Sequence, residues 1–195
     1  PEVHPTAYID PTAQIIGAVH IGSMVYVGPG AVVRGDEADA QGKVSPIEVG
    51  PECNIQDGVI IHALGGTRVT IGCRTSLGHG CIVHGPCTLG EGCFVGFGAH
   101  VFDATLGDGV YIGTGAVVQG VELAERSLVP PAAPILSQDH VIRFVGTTSP
   151  AERMFIERVV ASNLALVQGY KGLSRSGTDG CRVSPADRGT LISDS

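Results

Sequence analysis

The stretch Ile71-Gly-Cys-Arg-Thr-Ser-Leu77-Gly-His-Gly-Cys-Ile-Val83-His-Gly-Pro-Cys-Thr-Leu89-Gly-Glu-Gly-Cys-Phe-Val95-Gly-Phe-Gly-Ala-His-Val101 decides the fold. An aliphatic residue returns at every sixth position, and glycine usually follows it. A helix repeats about every 3.6 residues and a strand about every 2, so neither explains the period. Six-residue repeats with Ile-Gly or Val-Gly mark a parallel β-helix. Each hexad forms one short strand and a corner, and three hexads close a triangular coil with strands stacked ~4.8 Å apart. Working outward, the same spacing holds at Ile9, Ile15, Ile21, Val27 and Val33, and again at Val49, Ile55 and Ile61. Beyond Val101 it slips by one to Leu106 and continues through Ile112 and Val118. Two interruptions break it, from Asp36 to Pro46 and from Leu64 to Val69. Loops that interrupt a rigid scaffold are where sites tend to form.

Composition agrees with a coil of many tight corners. The 195 residues include 29 glycines, aromatics make up 5%, and tryptophan is absent. The formal net charge is −7 with no basic cluster, which argues against nucleic acid and anionic membranes as partners. No apolar run approaches the ~20 residues of a membrane-spanning helix. The first residues lack the charged and apolar regions of a signal peptide, so the expected location is cytoplasmic. Cys53, Cys81, Cys87 and Cys93 all fall four residues after an aliphatic position, a slot that elsewhere holds alanine or valine. They read as small core hydrophobes rather than disulfides or metal ligands. Cys73 falls near a corner and Cys181 in the tail.

Three segments follow: a β-helix domain over residues 1–135, a linker and C-terminal helix over 136–173, and a disordered tail over 174–195. Pro130, Pro131 and Pro134 remove ladder donors and end the coil. Ser149 reads as a helix N-cap, with Pro150 at the first helical position and Glu152 closing a capping box. The helix is expected to run to Gln168 and stop at Gly169. Its apolar residues Met154, Phe155, Val159, Leu164, Leu166 and Val167 are expected to pack it alongside the coil.

Register counting places three histidines. His62 and His84 each follow an aliphatic residue by one, one coil turn apart, so they stack on one face about one strand spacing apart. Two imidazoles so placed can reach one metal ion. His79 follows Leu77 by two and points elsewhere. If all three bind one ion, the third ligand comes from a neighbouring copy, and a three-fold assembly is the natural closed arrangement. The same counting stacks Arg34 with Gln56 under Gly78, and so puts Arg34, Asp36, Glu37, Gln56 and Asp57 on the face adjoining the histidine pair. Arg34 then has Asp36 and Asp57 as partners, holding a subunit boundary in register, and Gln56 can orient a metal-bound water. The bland alternatives are corner histidines that only hydrogen-bond, as for His4, His20, His100 and His140, and solvated charges on a coil face.

The strings Val33-Arg-Gly-Asp-Glu37, Asn54-Ile-Gln-Asp-Gly58, Ile61-His-Ala63 and Ser76-Leu-Gly-His79-Gly-Cys-Ile-Val-His84-Gly-Pro86 resemble the γ-class carbonic anhydrases over about residues 3–172. The resemblance implies an all-β, left-handed parallel β-helix that forms a homotrimer with a metal at each subunit interface. It implies His62 and His84 as ligands from one subunit and His79 from its neighbour. It gives Gln56 the positioning of the nucleophile, Arg34 with Asp57 an intersubunit salt bridge, Glu37 proton handling, and Asn163 a place at the substrate pocket. The implied activity is a lyase reaction, CO2 to bicarbonate, through a hydroxide on Zn2+, with Fe2+ or Co2+ also suited to imidazoles. One departure is the stretch His62-Ala-Leu-Gly-Gly-Thr-Arg68, which lacks the acidic proton-shuttle loop of some family members. Two other functions share the coil: a hexapeptide-repeat acyltransferase using one catalytic histidine, and a catalytically weak or inactive scaffold subunit.

Overall fold

The computed structural model describes residues 1–176. Residues 1–135 form a left-handed parallel β-solenoid of about seven turns. The aliphatic repeat is its interior: Val27, Val33, Ile55, Ile61, Leu77, Val83, Val95, Ile112 and Val118 are all fully buried. Cys81 and Cys93 are buried in the same core, with Cys53 and Cys87 nearly so, and none is disulfide-bonded. Burial pushes the thiols of Cys53 and Cys81 up to about 12 and those of Cys87 and Cys93 up to about 11. Cys181 lies outside the described residues.

The prism has three faces. Face one carries Gln14–Gly17, Val32–Gly35, Ile60–His62, the first halves of Ile82–Leu89 and His100–Leu106, and Val117–Gln119. Face two carries Val19–Ile21, Ile47–Val49, Val69–Ile71 and the second halves of the two long strands. Face three is the separate sheet through Tyr8–Ile9, Tyr26–Val27, Asn54–Ile55, Ser76–Leu77, Phe94–Val95, Tyr111–Ile112 and Ser127–Val129.

Helix α2, Pro150–Ser176, covers face three. Its capping box forms as the sequence dictates: the Ala151 N–H donates to Ser149 Oγ at 3.1 Å and the Ser149 N–H to Glu152 Oε2 at 2.7 Å. Two expectations for this helix are corrected. The buried stripe is Ile156, Val160, Asn163 and Val167; of the expected set Val167 is buried, Val159 and Leu164 pack half-buried against the Phe94–Ile156–Val160 cluster and Phe155 reaches the sheet by its ring edge, while Met154 and Leu166 face out. The helix also does not stop at Gly169. That glycine has no left-handed backbone to end the helix, and tertiary contacts beyond it hold the helix on. Tyr170 stacks on Tyr8 at 4.5 Å, and Lys171 Nζ donates to the Pro5 carbonyl at 2.9 Å. Packing overrides local propensity here, so 174–176 are helical rather than part of a tail; the rest of the expected tail, 177–195, lies outside the described residues.

A short helix α1, Gln138–Phe144, capped by Ser137, and an antiparallel strand Gly146–Thr147 fill the stretch read as linker. Among the described residues no helix is long and apolar enough to cross a membrane. Face two shows Glu48, Thr70, Thr88 and Thr105 outward, an ordinary solvated surface. Face one differs. Val32, Ile60 and Ile82 stand in one outward column, and among the described residues Ile60 is left 40% exposed.

Candidate metal centre

His62 and His84 are direct neighbours across adjacent strands of face one, in register. Each sits on a strand whose preceding residue, Ile61 or Val83, anchors it in the core. The rings meet edge-on with centroids 5.0 Å apart, and His62 Nδ1 lies 3.1 Å from His84 Nε2. His84 Nδ1 also meets the Gly85 carbonyl at 3.1 Å. His62 is largely buried, and that burial, helped by the Arg34 and His84 charges, lowers its pKa against the opposing pull of Glu37. A neutral imidazole is the form a metal requires.

The rest of the expected site divides in two. Arg34 is in register with His62, directly beneath it, and not with Gln56. The register corrects the count, because the Asp36–Pro46 interruption adds ten residues to its turn; Val33 pairs with Ile61 and Val27 with Ile55. Gly78 does stand above Gln56. On the histidine-pair side Arg34 Nε lies 2.6 Å from Asp36 Oδ1, and Arg34 Nη2 lies 3.7 Å from Glu37 Oε1. Glu37 Oε1 lies 3.3 Å from His62 Nε2, and its Oε2 accepts from the Gly65 N–H at 3.3 Å. The Glu37–His62 approach is off-line for a hydrogen bond, which leaves the buried His62 Nε2 unsatisfied.

The other group lies where face three turns into face one. Gln56 Oε1 accepts from the His79 backbone N–H at 3.2 Å, and His79 Nδ1 lies 3.7 Å from Asp57 Oδ2. Asp57 is therefore on this edge, away from Arg34 of the same chain. Asn163, on α2 above face three, is nearly buried and donates from Nδ2 to the Val159 carbonyl at 2.7 Å. Among the described residues of one chain, no three histidine, cysteine or carboxylate side chains come close enough to hold an ion. Two imidazoles and an orphaned ring nitrogen do fit a metal as a partial donor set, with the third donor absent from this edge of the chain.

Two aromatic residues were missed. Phe102 stands one rung above His84, ring centroids 5.3 Å apart, and Phe97 stacks on His79 at 5.4 Å. The repeat carried the signal: Phe102 follows Val101 by one as His84 follows Val83, and Phe97 follows Val95 by two as His79 follows Leu77.

Comparison with known proteins gives three kinds of match. Residues 68–102 match the family model described as bacterial transferase hexapeptide (six repeats). A carbonic anhydrase of Methanosarcina thermophila is 34% identical over 194 residues, a match covering 89% of this chain and 76% of that protein. The carboxysome assembly protein CcmM of a Nostoc species is 35% identical over 179 residues; the match covers 87% of this chain but 31% of that protein, so the chain spans about a third of this relative's length. Among solved structures, a hexapeptide transferase family protein from Anaplasma phagocytophilum superposes with a TM-score of 0.71 at 31% identity, covering 87% of this chain and 92% of that one.

Proposed function

Because the chain belongs to the γ-class carbonic anhydrase family, we propose that it reversibly hydrates CO2 to bicarbonate at a divalent metal shared between neighbouring copies in a homotrimer. The observation that carries this reading is the division of the three histidines. His62 and His84 touch on face one, while His79 stands on another edge of the prism beside Gln56 and Asp57. One copy supplies two imidazoles and the neighbour's opposite edge supplies the third. The open apolar column of face one supports contact between copies, and three such head-to-tail contacts close a ring.

When bound, the metal (zinc, or iron(II) or cobalt(II), which also suit nitrogen donors) supplies a Lewis acid that makes water nucleophilic near neutral pH. The chain's own residues do the rest. Gln56, its Oε1 fixed by the His79 N–H, keeps its amide N–H groups for the oxygen of the attacking water. Arg34 orders the start of the Asp36–Pro46 loop through Asp36, and Asp57 on the neighbour's edge is its partner across the boundary. Glu37, steadied by the Gly65 N–H, is the first proton acceptor. Asn163 borders the approach of CO2.

A second reading has its own support. The match to a carboxysome assembly protein, together with a His62–Arg68 loop that has no carboxylate, fits a metal-binding subunit with an assembly role. Stopped-flow CO2 hydration on zinc- and iron(II)-loaded protein separates the two. The enzyme reading predicts turnover that vanishes, with the metal, in His84→Ala. Full metal occupancy without turnover would instead favour assembly.

A further inference from the structure

Leu77 is in register with Ile55 below and Val95 above, so the residues two further on, Asp57, His79 and Phe97, form one column where face three turns into face one. Backbone hydrogen bonds tie the two upper corners together on both sides of the histidine. The Gly78 N–H donates to the Val95 carbonyl at 2.8 Å, and the Gly98 N–H to the His79 carbonyl at 2.9 Å. The ladder therefore fixes how far Phe97 stands from His79. The two rings stack with centroids 5.4 Å apart and planes 24° from parallel, within the offset arrangement that aromatic rings prefer. Gly78 leaves the room, since a Cβ there would stand 2.9 Å from Phe97 Cδ1. Phe97 is itself steadied from the core. It meets Phe94 edge-on at 6.2 Å, and Phe94, 2% exposed, packs on Tyr111 and on Phe155 of α2.

We propose that Phe97 is the positioning residue of His79, holding its ring in the orientation that reaches the metal of the neighbouring copy; the proposal rests on the shared-metal reading above. His79 is otherwise poorly held. Its side chain is 56% exposed, and its backbone N–H, not its ring, meets Gln56. On the ring, Asp57 Oδ2 stands 3.7 Å from Nδ1, beyond hydrogen-bonding length, and Nε2 meets no partner among the described residues. An exposed imidazole samples several staggered rotamers. A donor that must reach an ion across a subunit boundary loses affinity by the fraction of time it spends in the others. The column limits that choice: the ring face lies on Phe97, Nδ1 faces Asp57, and Nε2 is left open. His62 and His84 need no such support, because their rings meet each other and His84 Nδ1 meets the Gly85 carbonyl. One aromatic stack favours its geometry by about two- to tenfold. Outer groups that orient a metal ligand change metal affinity by about 10–100-fold. Phe97 has no donor atom, so its whole effect passes through His79.

The test compares the full-length wild type with two variants. Phe97→Leu keeps the apolar bulk without a flat face, and Phe97→Tyr keeps the ring and adds a hydroxyl to a side chain that is 44% exposed. In the metal-free protein the His79 ring resonances, assigned by their loss in His79→Gln, are expected to move in Phe97→Leu and to stay near wild type in Phe97→Tyr. With Co2+ as the probe, Phe97→Leu is expected to keep the trimer, to bind the ion about tenfold more weakly and to change its visible spectrum. Phe97→Tyr is expected to restore both. Wild-type affinity and spectrum in Phe97→Leu, His79 resonances indifferent to it, or Phe97→Tyr as impaired as Phe97→Leu would each overturn the positioning role. So would a Phe97→Leu chain that fails to assemble, which would put the ring in the contact between copies instead. A wild type that binds Co2+ without hydrating CO2 would overturn the carbonic anhydrase reading and leave the positioning role standing. A wild type that takes up no divalent ion would end both.

Discussion

Ile60→Arg tests whether face one is the surface through which copies meet. Ile60 points outward two residues before His62, in the apolar column with Val32 and Ile82, and is 40% exposed in the single chain. Full burial of an isoleucine contributes about 1.5–3 kcal/mol, so covering the exposed remainder contributes about 1 kcal/mol at each contact. Arginine forfeits that and must also be desolvated without a partner, at a cost of several kcal/mol. A combined loss of about 4 kcal/mol weakens each contact about a thousandfold. The isolated chain should be untouched, because the substitution alters neither the ladder nor the core. Sedimentation with metal analysis of the same fractions is the assay. The account predicts a folded monomer with no metal, its melting temperature close to that of metal-free wild type. A stable trimer with full metal content would refute the assignment of this face.

Other consequences are open to simpler measurements. In the native protein Cys53, Cys81, Cys87 and Cys93, with thiols pushed up to between about 11 and about 12 by burial, should resist alkylation at pH 8 and react only after denaturation; rapid native labelling would contradict the core assignment. Tyr170→Ala removes ring contacts with Tyr8 and Tyr26 and should cost about 1–3 kcal/mol by chemical denaturation; no loss would mean that the last turns of α2 do not hold the coil. Glu152 has its pKa lowered by its Ser149 hydrogen bonds. The unfolded carboxyl then takes a proton first as pH falls, so this stabilisation is complete above about pH 4.5 and lost through the lower folded value. Melts of wild type and Glu152→Gln should converge in acid, and a constant gap down to the lowest pH would rule out the cap. Gly65→Ala places a Cβ 2.3 Å from the Ala38 carbonyl oxygen, separating the two interrupting loops and releasing Glu37; a fall in turnover with metal content retained is expected, and unaltered kinetics would show that this contact does not matter.

The interior of the prism was legible because its signal is redundant. Each aliphatic residue from Val27 to Val118 is checked by neighbours six positions away, and a single slip, as at Leu106, shows at once. What failed was counting across an interruption. The Asp36–Pro46 loop has no repeat of its own, so its length in turns was ambiguous, and Arg34 was set beside Gln56 rather than under His62. The His62–His84 stack survived because the loop between them is short and flanked by clear hexads. Gly169 failed for another reason: glycine permits a helix to end but does not compel it, and Tyr170 and Lys171 find partners on the coil. Phe97 and Phe102 were readable by the same register, since each holds the slot of a site histidine one rung away.

The central claim is that a complete donor set needs two copies, and mixed subunits test it most directly. His79→Ala retains His62 and His84, while a second variant, His62→Ala with His84→Ala, retains only His79. Each alone should bind no metal. Unfolded together and refolded as a mixture, trimers containing both kinds of chain have one boundary where the intact halves meet, so metal binding and CO2 hydration should return in the mixed trimers. A mixture that binds no more metal than either variant alone would contradict the account.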